Sequence, residues 1–224
     1  MKSSRRPRTL SLCPVAFVIF LAAFFGAPSA HSQEQQAENE FGVWGAYSLN
    51  SPDVYGSRGH EQFGVLAFRY GRTLVSSRSF AIEYTLDVAP VEIAHQYKYV
   101  SCVIESGGMA SLSYCPNGHE TVYGGGVSPV GWKLNLFPRR RWQPIGALSG
   151  GFIASLRPIP MDIPKATAFN FTFDFQVGVE RFNSARTRAW TFAYKLQHIS
   201  NASRSVVNPG VDLNIFSVGY SFFK

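Results

Sequence analysis

The stretch FNFTFDFQVGVE, residues 169–180, decides the fold class of this 224-residue chain. Its odd-numbered positions, from Phe169 to Val179, are all apolar, and its even-numbered positions, from Asn170 to Glu180, are polar or glycine. Strict alternation puts the two sets on opposite faces of a β-strand, whereas a helix would need a repeat of about 3.6 residues. Because no segment after residue 40 sustains the helical repeat, the sequence predicts an all-β protein.

Alternating segments recur along the whole chain and predict eight strands. They lie at 41–50, 62–72, 79–89, 123–137, 142–157, 168–181, 187–200 and 211–223. Several are longer than the roughly five or six residues usual in soluble sheets, and a tilted strand needs about 9–11 residues to cross a bilayer. The same part of the chain has no run of ~20 apolar residues, so spanning would require a closed barrel.

The chemistry of the two strand faces distinguishes a membrane barrel from a soluble one. One face is rich in bulky aromatic residues, which make up 15% of the chain, while the other carries charge. Membrane barrels turn apolar side chains to lipid and fill the lumen with polar ones. We therefore predict an eight-stranded antiparallel transmembrane β-barrel of outer-membrane type, with a secreted β-sandwich or lipocalin-like barrel as the alternative. The predicted lumen residues are Arg69, Glu83, Asp87, Lys133, Asp174, Glu180 and Lys195.

The connections between the strands are unequal in length, as in outer-membrane barrels. The predicted outer loops, at 51–61, 90–122, 158–167 and 201–210, are all longer than the inner turns at 73–78, 138–141 and 182–186. Three consecutive arginines, Arg139 to Arg141, fall in an inner turn, which we interpret as a solvated turn.

The N-terminal residues indicate export. Residues 1–32 combine a basic head with an apolar run and small residues before a cleavage position, which is typical of a signal peptide. A polar segment at 33–40 is predicted to be disordered, and 41–224 form the barrel. Without the four basic residues of the signal, 17 basic residues remain against 14 acidic ones, too small an excess for a nucleic-acid partner. The predicted location is the bacterial outer membrane.

Two cysteines, Cys102 and Cys115, remain after the signal peptide and lie in one stretch rich in glycine and serine. In an exported protein such a pair favours a local disulfide. His119 lies four residues further on, which leaves a metal site as the alternative.

The stretch QHISNASRSVVNPGVD, residues 197–212, contains the parts of an acyl-transfer triad. His198 and Ser200 continue the lipid-facing parity of strand 187–200, and Asp212 shares the lipid-facing parity of the next strand. A serine hydroxyl becomes a good nucleophile when a histidine takes its proton, and a carboxylate orients that histidine. The sequence therefore predicts a catalytic group that faces lipid at the outer rim.

The pattern His198-x-Ser200-Asn201, then Asn208, an acidic residue at 212 and the terminal GYSFFK resembles the outer-membrane lipid A 3-O-deacylases of the PagL type. The likeness is specific over the last 35 residues or so and architectural before them. It implies hydrolysis of the 3-O-acyl ester of lipid A without a metal or other cofactor.

The same resemblance implies Ser200 as nucleophile, His198 as general base and then acid, and the acidic residue at 212 as the group that orients the imidazole. It also implies that Asn201 and Asn208 hold the site and its oxyanion hole. The family typically has Glu where this chain has Asp212, so the carboxylate must approach the imidazole with one methylene fewer.

Two other functions fit the predicted barrel. One is a non-enzymatic outer-membrane protein that serves adhesion or envelope integrity through the 90–122 loop. The other is an outer-membrane phospholipase or esterase that uses the same three residues on glycerophospholipids.

Overall fold

The computed structural model describes residues 38–48, 50–52, 54–56 and 61–224. The predicted signal peptide and residues 33–37 of the predicted disordered segment lie outside the described residues. None of the described residues forms a helix long and apolar enough to cross a membrane.

The described residues form eight antiparallel strands in a closed barrel, in which each strand pairs with its neighbours in sequence and the last pairs with the first. The fold class predicted from the alternation is confirmed. The strands are β1 (Asn39–Ser48), β2 (Gln62–Ser76), β3 (Phe80–Ser106), β4 (Met109–Leu136), β5 (Trp142–Ser155), β6 (Phe169–Phe182), β7 (Arg188–Ser200) and β8 (Val211–Phe223).

The predicted loop at 90–122 is wrong, because β3 and β4 continue through it as strands of 27 and 28 residues. They meet at a tight turn in which Gly107 and Gly108 adopt φ angles of 60° and 81°, a conformation that glycine accepts without steric cost. At its two ends this stretch still has a buried side, which includes Ala94 and Val122. Between residues 97 and 121 no residue is buried, so cross-strand hydrogen bonds satisfy the backbone there and alternation is not required. Cys102 and Cys115 are diagonal neighbours across the hairpin and are joined by a disulfide.

The first strand begins at Asn39, so Asn39 and Glu40 belong to the barrel and not to a disordered segment. The reason lies in the lumen, where Glu40 accepts a hydrogen bond from Lys133 at 2.6 Å. The Lys133 ammonium also lies 2.7 Å from Glu83 and 2.9 Å from Glu180. Because the Glu40 carboxylate neutralises the buried Lys133 ammonium, it holds the start of β1 in the barrel.

Burial separates the two faces of the sheet as the alternation predicts. The charged residues assigned to the lumen are buried, except for Arg69, which is partly buried, and all form ion pairs, among them Arg69 with Asp87 at 2.7 Å. The aromatic face is exposed instead, with half or so of Trp132, Phe173 and Trp190 accessible. The barrel is thus apolar outside and polar around the charged network inside, which is the arrangement of a barrel solvated by lipid. A separate part of the interior is apolar, where Phe63, Ile199 and Leu213 belong to a buried hydrophobic cluster.

The two ends of the barrel differ. The turn rim comprises the connections β2–β3, β4–β5 and β6–β7, at 77–79, 137–141 and 183–187, together with the start of β1 and the end of β8. The loop rim is the opposite end and carries the connections at 49–61, 156–168 and 201–210 and the β3–β4 hairpin. The candidate site lies at the loop rim, where β7 ends and β8 begins.

Candidate active site

His198 and Ser200 lie at the loop-rim end of β7, on the same outward face as Trp190 and Phe192. The pairing of β7 with β8 runs without a register shift from Arg188 opposite Phe222 to the loop rim. Because no bulge interrupts this pair, the alternation that turns the aromatic residues outward also turns the imidazole and the hydroxyl outward.

Asp212 lies directly across from His198 in the β7–β8 pair. Its Oδ1 atom is 2.6 Å from His198 Nδ1. The sequence predicted that Asp212 faces lipid, but the carboxylate is fully buried while the imidazole keeps 27% of its side-chain surface accessible. The cover comes from the β1–β2 loop, which folds over the carboxylate at the loop rim.

Three backbone N–H groups of that loop donate to Asp212 Oδ2. The distances are 2.9 Å from Val54 and 2.8 Å from Gly56, and Tyr55 donates to the same oxygen. Successive N–H groups that converge on one oxygen form an anion-binding nest. One carboxylate oxygen is therefore held by the loop, and the other is directed at the imidazole.

Glycine allows the loop to come this close. A side chain at Gly56 would place its Cβ 2.8 Å from Val211 Cα, inside the contact distance of carbon atoms. Gly210 is similarly close to the imidazole, since a Cβ there would lie 3.0 Å from His198 Cε1. Tyr55 adds an edge-to-face contact with the His198 ring, with centroids 6.2 Å apart.

Sequence reasoning missed this loop altogether. Gly56 donates to a residue 156 positions away, and nothing in the composition of 51–61 indicates such a partner. The available signal was Gly56 itself, because a glycine in a polar loop often marks a close approach of two backbones.

The two predicted oxyanion residues brace the β7–β8 loop. The Asn201 N–H donates to Asn208 Oδ1 at 3.1 Å, and Asn201 Nδ2 donates to the Val207 carbonyl at 2.6 Å. Asn208 Nδ2 in turn donates to Ser203 Oγ at 3.3 Å. Both amides are thus engaged within the loop that follows Ser200.

The structure brings His198 and Asp212 into contact, but it does not show the contact between Ser200 and His198 that would complete the triad. In the part of the chain that the structure describes, no hydrogen bond joins Ser200 Oγ to the His198 imidazole. Catalytic hydrogen bonds are often long in the absence of substrate and shorten when it binds. The two side chains share one face two positions apart, which is the placement that such a link requires.

The lipid-facing surface beside the pair is made of phenylalanine. Phe171 lies across from Ser200 and Phe173 across from His198 on β6. The Phe171 ring packs against Phe169 at a centroid distance of 5.5 Å. Above it, the Arg204 guanidinium lies 5.7 Å from the centre of the Phe171 ring. Next to the Ser200 hydroxyl, the phenylalanine surface therefore borders the positive charge of Arg204.

Within the described residues, no three His, Cys, Asp or Glu side chains are grouped so that they could hold a metal ion. The cysteines of the alternative metal site suggested by His119 are joined to each other. The chemistry available at the loop rim is that of a hydroxyl, an imidazole and a buried carboxylate.

Comparison with known proteins adds a family. The family model described as lipid A 3-O-deacylase (PagL) matches residues 79–221. No curated protein matches the sequence.

Three solved outer-membrane proteins are similar in structure. The outer-membrane enzyme PagL is 12% identical with a TM-score of 0.47, over 82% of this chain and 98% of that one. The attachment invasion locus protein Ail of Yersinia pestis is 9% identical with a TM-score of 0.44, over 84% and 99%. OprG of Pseudomonas aeruginosa is 11% identical with a TM-score of 0.41, over 84% and 96%. Because the family model covers well over half of the chain, this outer-membrane β-barrel belongs to the lipid A 3-O-deacylase (PagL) family.

Proposed function

We propose that this barrel hydrolyses the 3-O-acyl ester of lipid A, with Ser200 as nucleophile, His198 as general base and Asp212 as the orienting carboxylate. The observation that carries the proposal is the 2.6 Å contact between His198 Nδ1 and Asp212 Oδ1 on the lipid-facing side of the loop rim. The family description names the same reaction.

The proposed reaction follows from the tautomer that Asp212 selects. When Nδ1–H of His198 donates to the carboxylate, Nε2 is the acceptor that can take the proton of Ser200. Ser200 Oγ then attacks the acyl carbonyl, and the tetrahedral intermediate collapses to an acyl-enzyme. His198 returns the proton to the departing sugar hydroxyl, and a water molecule, activated in the same way, hydrolyses the acyl-enzyme.

The nest formed by Val54, Tyr55 and Gly56 supports the use of Asp where the family typically has Glu. A carboxylate on a short side chain has less reach, and a loop that holds it from behind compensates by fixing its position. Three N–H donors also keep the carboxylate ionised, which stabilises the imidazolium that forms during the reaction.

The oxyanion requires donors on the loop that follows Ser200. The Asn201 N–H is the nearest in sequence, and Asn208 Oδ1 accepts it in the absence of substrate. We propose that the carbonyl oxygen of the substrate displaces Asn208 Oδ1 from this N–H as charge develops. Loss of a donor of this kind typically lowers the rate ~10²–10³-fold.

The phenylalanine surface and Arg204 fit the two chemical parts of the substrate. The acyl chain would lie against Phe171 and Phe173, in the hydrocarbon region, and need not leave the bilayer. Lipid A is a phosphorylated glucosamine disaccharide, so Arg204 at the edge of that surface would bind a phosphate through charge-assisted hydrogen bonds.

Mass spectrometry of extracted lipids tests the proposal. Expression in a host with 3-O-acylated lipid A should remove one hydroxyacyl chain, and Ser200→Ala or His198→Ala should abolish this while the barrel stays folded and heat-modifiable. Ser113→Ala, which removes a hydroxyl from the β3–β4 hairpin, is the control and should keep full activity.

The same spectra separate the other functions. Appearance of lysophospholipid with intact lipid A would identify a phospholipase. If neither lipid A nor the phospholipids change, the result would favour a structural or adhesion barrel without enzymatic activity. Full deacylation by Ser200→Ala would exclude the mechanism.

A further inference from the structure

The turn rim is strongly basic. Nine of the sixteen Lys and Arg residues in the described part of the chain lie at or near it, whereas Glu38 is the acidic side chain found there outside the lumen. The sequence drew attention to only three of them, in the β4–β5 turn. The nine are Arg72, Arg78, Arg139, Arg140, Arg141, Arg181, Arg186, Arg188 and Lys224.

Two of these arginines face lipid and pack on aromatic rings across β5 to β8. The Arg181 guanidinium lies 5.3 Å from the centre of the Trp142 ring, and that of Arg188 lies 5.6 Å from the centre of the Phe222 ring. The strand register places these side chains next to one another on neighbouring strands, so that they form one continuous surface. We call it the arginine–aromatic cluster; its members are Trp142, Arg181, Arg188, Trp190, Tyr220 and Phe222.

The two guanidinium groups are placed to share one ligand. Arg181 lies across from Trp190, and Arg188 precedes Trp190 by two positions on the same face. The two arginines are thus diagonal neighbours, separated by about 7–8 Å at the backbone and within reach of each other's long side chains. Among the described residues, no carboxylate forms an ion pair with either arginine. Two neighbouring cations without a counterion favour the binding of an anion from outside the protein.

The turns beside the cluster are tied together, which makes its scaffold rigid. Arg186 of the β6–β7 turn donates to the Arg140 carbonyl at 3.0 Å and also to the Pro138 carbonyl in the β4–β5 turn. Arg141 donates back to Ser184 Oγ at 2.7 Å. A surface held in this way loses little conformational freedom when it binds a ligand.

We propose that the arginine–aromatic cluster binds the phosphate of an anionic phospholipid in the leaflet at the turn rim. Guanidinium groups bind phosphate through two parallel hydrogen bonds, and Trp and Tyr rings prefer the depth at which headgroups lie. Lipid-facing exposure of both arginines brings them to a phosphate that is fixed in the membrane. This site is separate from the proposed active site, which lies at the other end of the barrel.

The test compares lipid retention by three proteins. Wild type, Arg181→Gln/Arg188→Gln and the control Arg72→Gln are purified with mixed phosphatidylglycerol and phosphatidylcholine, and bound lipids are counted by native mass spectrometry. Arg72 is the matched control because it is an exposed, outward-facing arginine of the same rim on β2, and among the described residues its guanidinium makes no cation–π contact. We expect the double variant to lose the preference for phosphatidylglycerol about tenfold and Arg72→Gln to keep it.

Three results would overturn the proposal. Wild type without a preference for phosphatidylglycerol excludes the site. If Arg72→Gln loses the preference for phosphatidylglycerol to the same extent, the binding reflects only general attraction by the net positive charge of the rim. Release of the bound lipid by millimolar inorganic phosphate assigns the site to free phosphate. Heat-modifiability verifies the fold of each variant, and the two single variants replace the double one if it does not fold.

Discussion

His198 Nδ1 lies 2.6 Å from Asp212 Oδ1, although strand pairing alone leaves the carboxylate open to the membrane. The β1–β2 loop makes the difference because it closes over Asp212 and donates to its second oxygen. A carboxylate exposed to hydrocarbon would take up a proton. The loop thus converts an unfavourable location into a defined hydrogen-bond acceptor for the imidazole.

Asp212→Asn is expected to lower the rate of lipid A deacylation by ~10³–10⁴-fold. An amide fills the same volume but does not stabilise the imidazolium, and it permits the wrong tautomer; the equivalent change in serine proteases costs about 10⁴. Initial rates on purified lipid A in detergent, measured by mass spectrometry, check this. A variant with more than a tenth of the wild-type rate would remove Asp212 from the mechanism.

Gly56→Ala is expected to lower the deacylation rate without unfolding the barrel. The new Cβ would lie 2.8 Å from Val211 Cα, so the loop must move away and take its three N–H donors from Asp212. The control is Gly146→Ala, where a Cβ meets no atom within 4 Å. Rates on lipid A and heat-modifiability are measured for both, and equal activity of the two variants would contradict the role of the loop.

Arg204→Gln is expected to weaken catalysis on phosphorylated lipid A about tenfold or more, because a hydrogen bond to a charged group contributes roughly 1.5–3 kcal/mol. The loss should appear mainly in KM. Hydrolysis of a phosphate-free ester should be unaffected, since the acyl chain and the three proposed catalytic residues are unchanged. The comparison of the two substrates is the measurement, and an equal loss on both would assign Arg204 to the structure of the loop.

Lys133→Met is expected to destabilise the barrel by about 3–5 kcal/mol, because Glu40, Glu83 and Glu180 would lose the cation between them. Unfolding in urea with the protein in detergent or lipid measures the change. Lys98→Met, which removes an exposed cation from the outer half of the β3–β4 hairpin, should leave the free energy of unfolding almost unchanged. A Lys133→Met protein as stable as wild type would contradict the importance of the network.

The double variant Cys102→Ser/Cys115→Ser is expected to retain full activity. The disulfide lies in the β3–β4 hairpin, on the opposite side of the barrel from the β7–β8 pair that carries the candidate site. Limited proteolysis should instead cut the hairpin faster, because its tip opens locally without the cross-link. A loss of deacylation with an intact barrel would show that the hairpin acts on the site.

Most of the fold follows from local sequence pattern. Alternation at 169–180 identifies β6 and both its faces, and the same parity carried along β7 brings His198 and Ser200 outward at the loop rim. The prediction works because side chains alternate between the two faces of a strand. Where one face meets hydrocarbon and the other a polar lumen, apolar and polar residues therefore alternate in the sequence. The hairpin between residues 97 and 121 escaped the prediction because no residue there is buried, so its two faces do not differ in environment.

Outside the stretch 90–122, the sequence by itself determined the eight strands and their alternating faces, and it identified the three candidate catalytic residues, since each depends on neighbours along the chain. Tertiary structure alone decided that Glu40 enters the lumen to meet Lys133 and that Val54, Tyr55 and Gly56 cover Asp212. The physical reason is barrel closure: β1 meets β8 only when the ring is complete. That closure brings a loop from the start of the chain against a carboxylate near its end, a contact that no local pattern encodes.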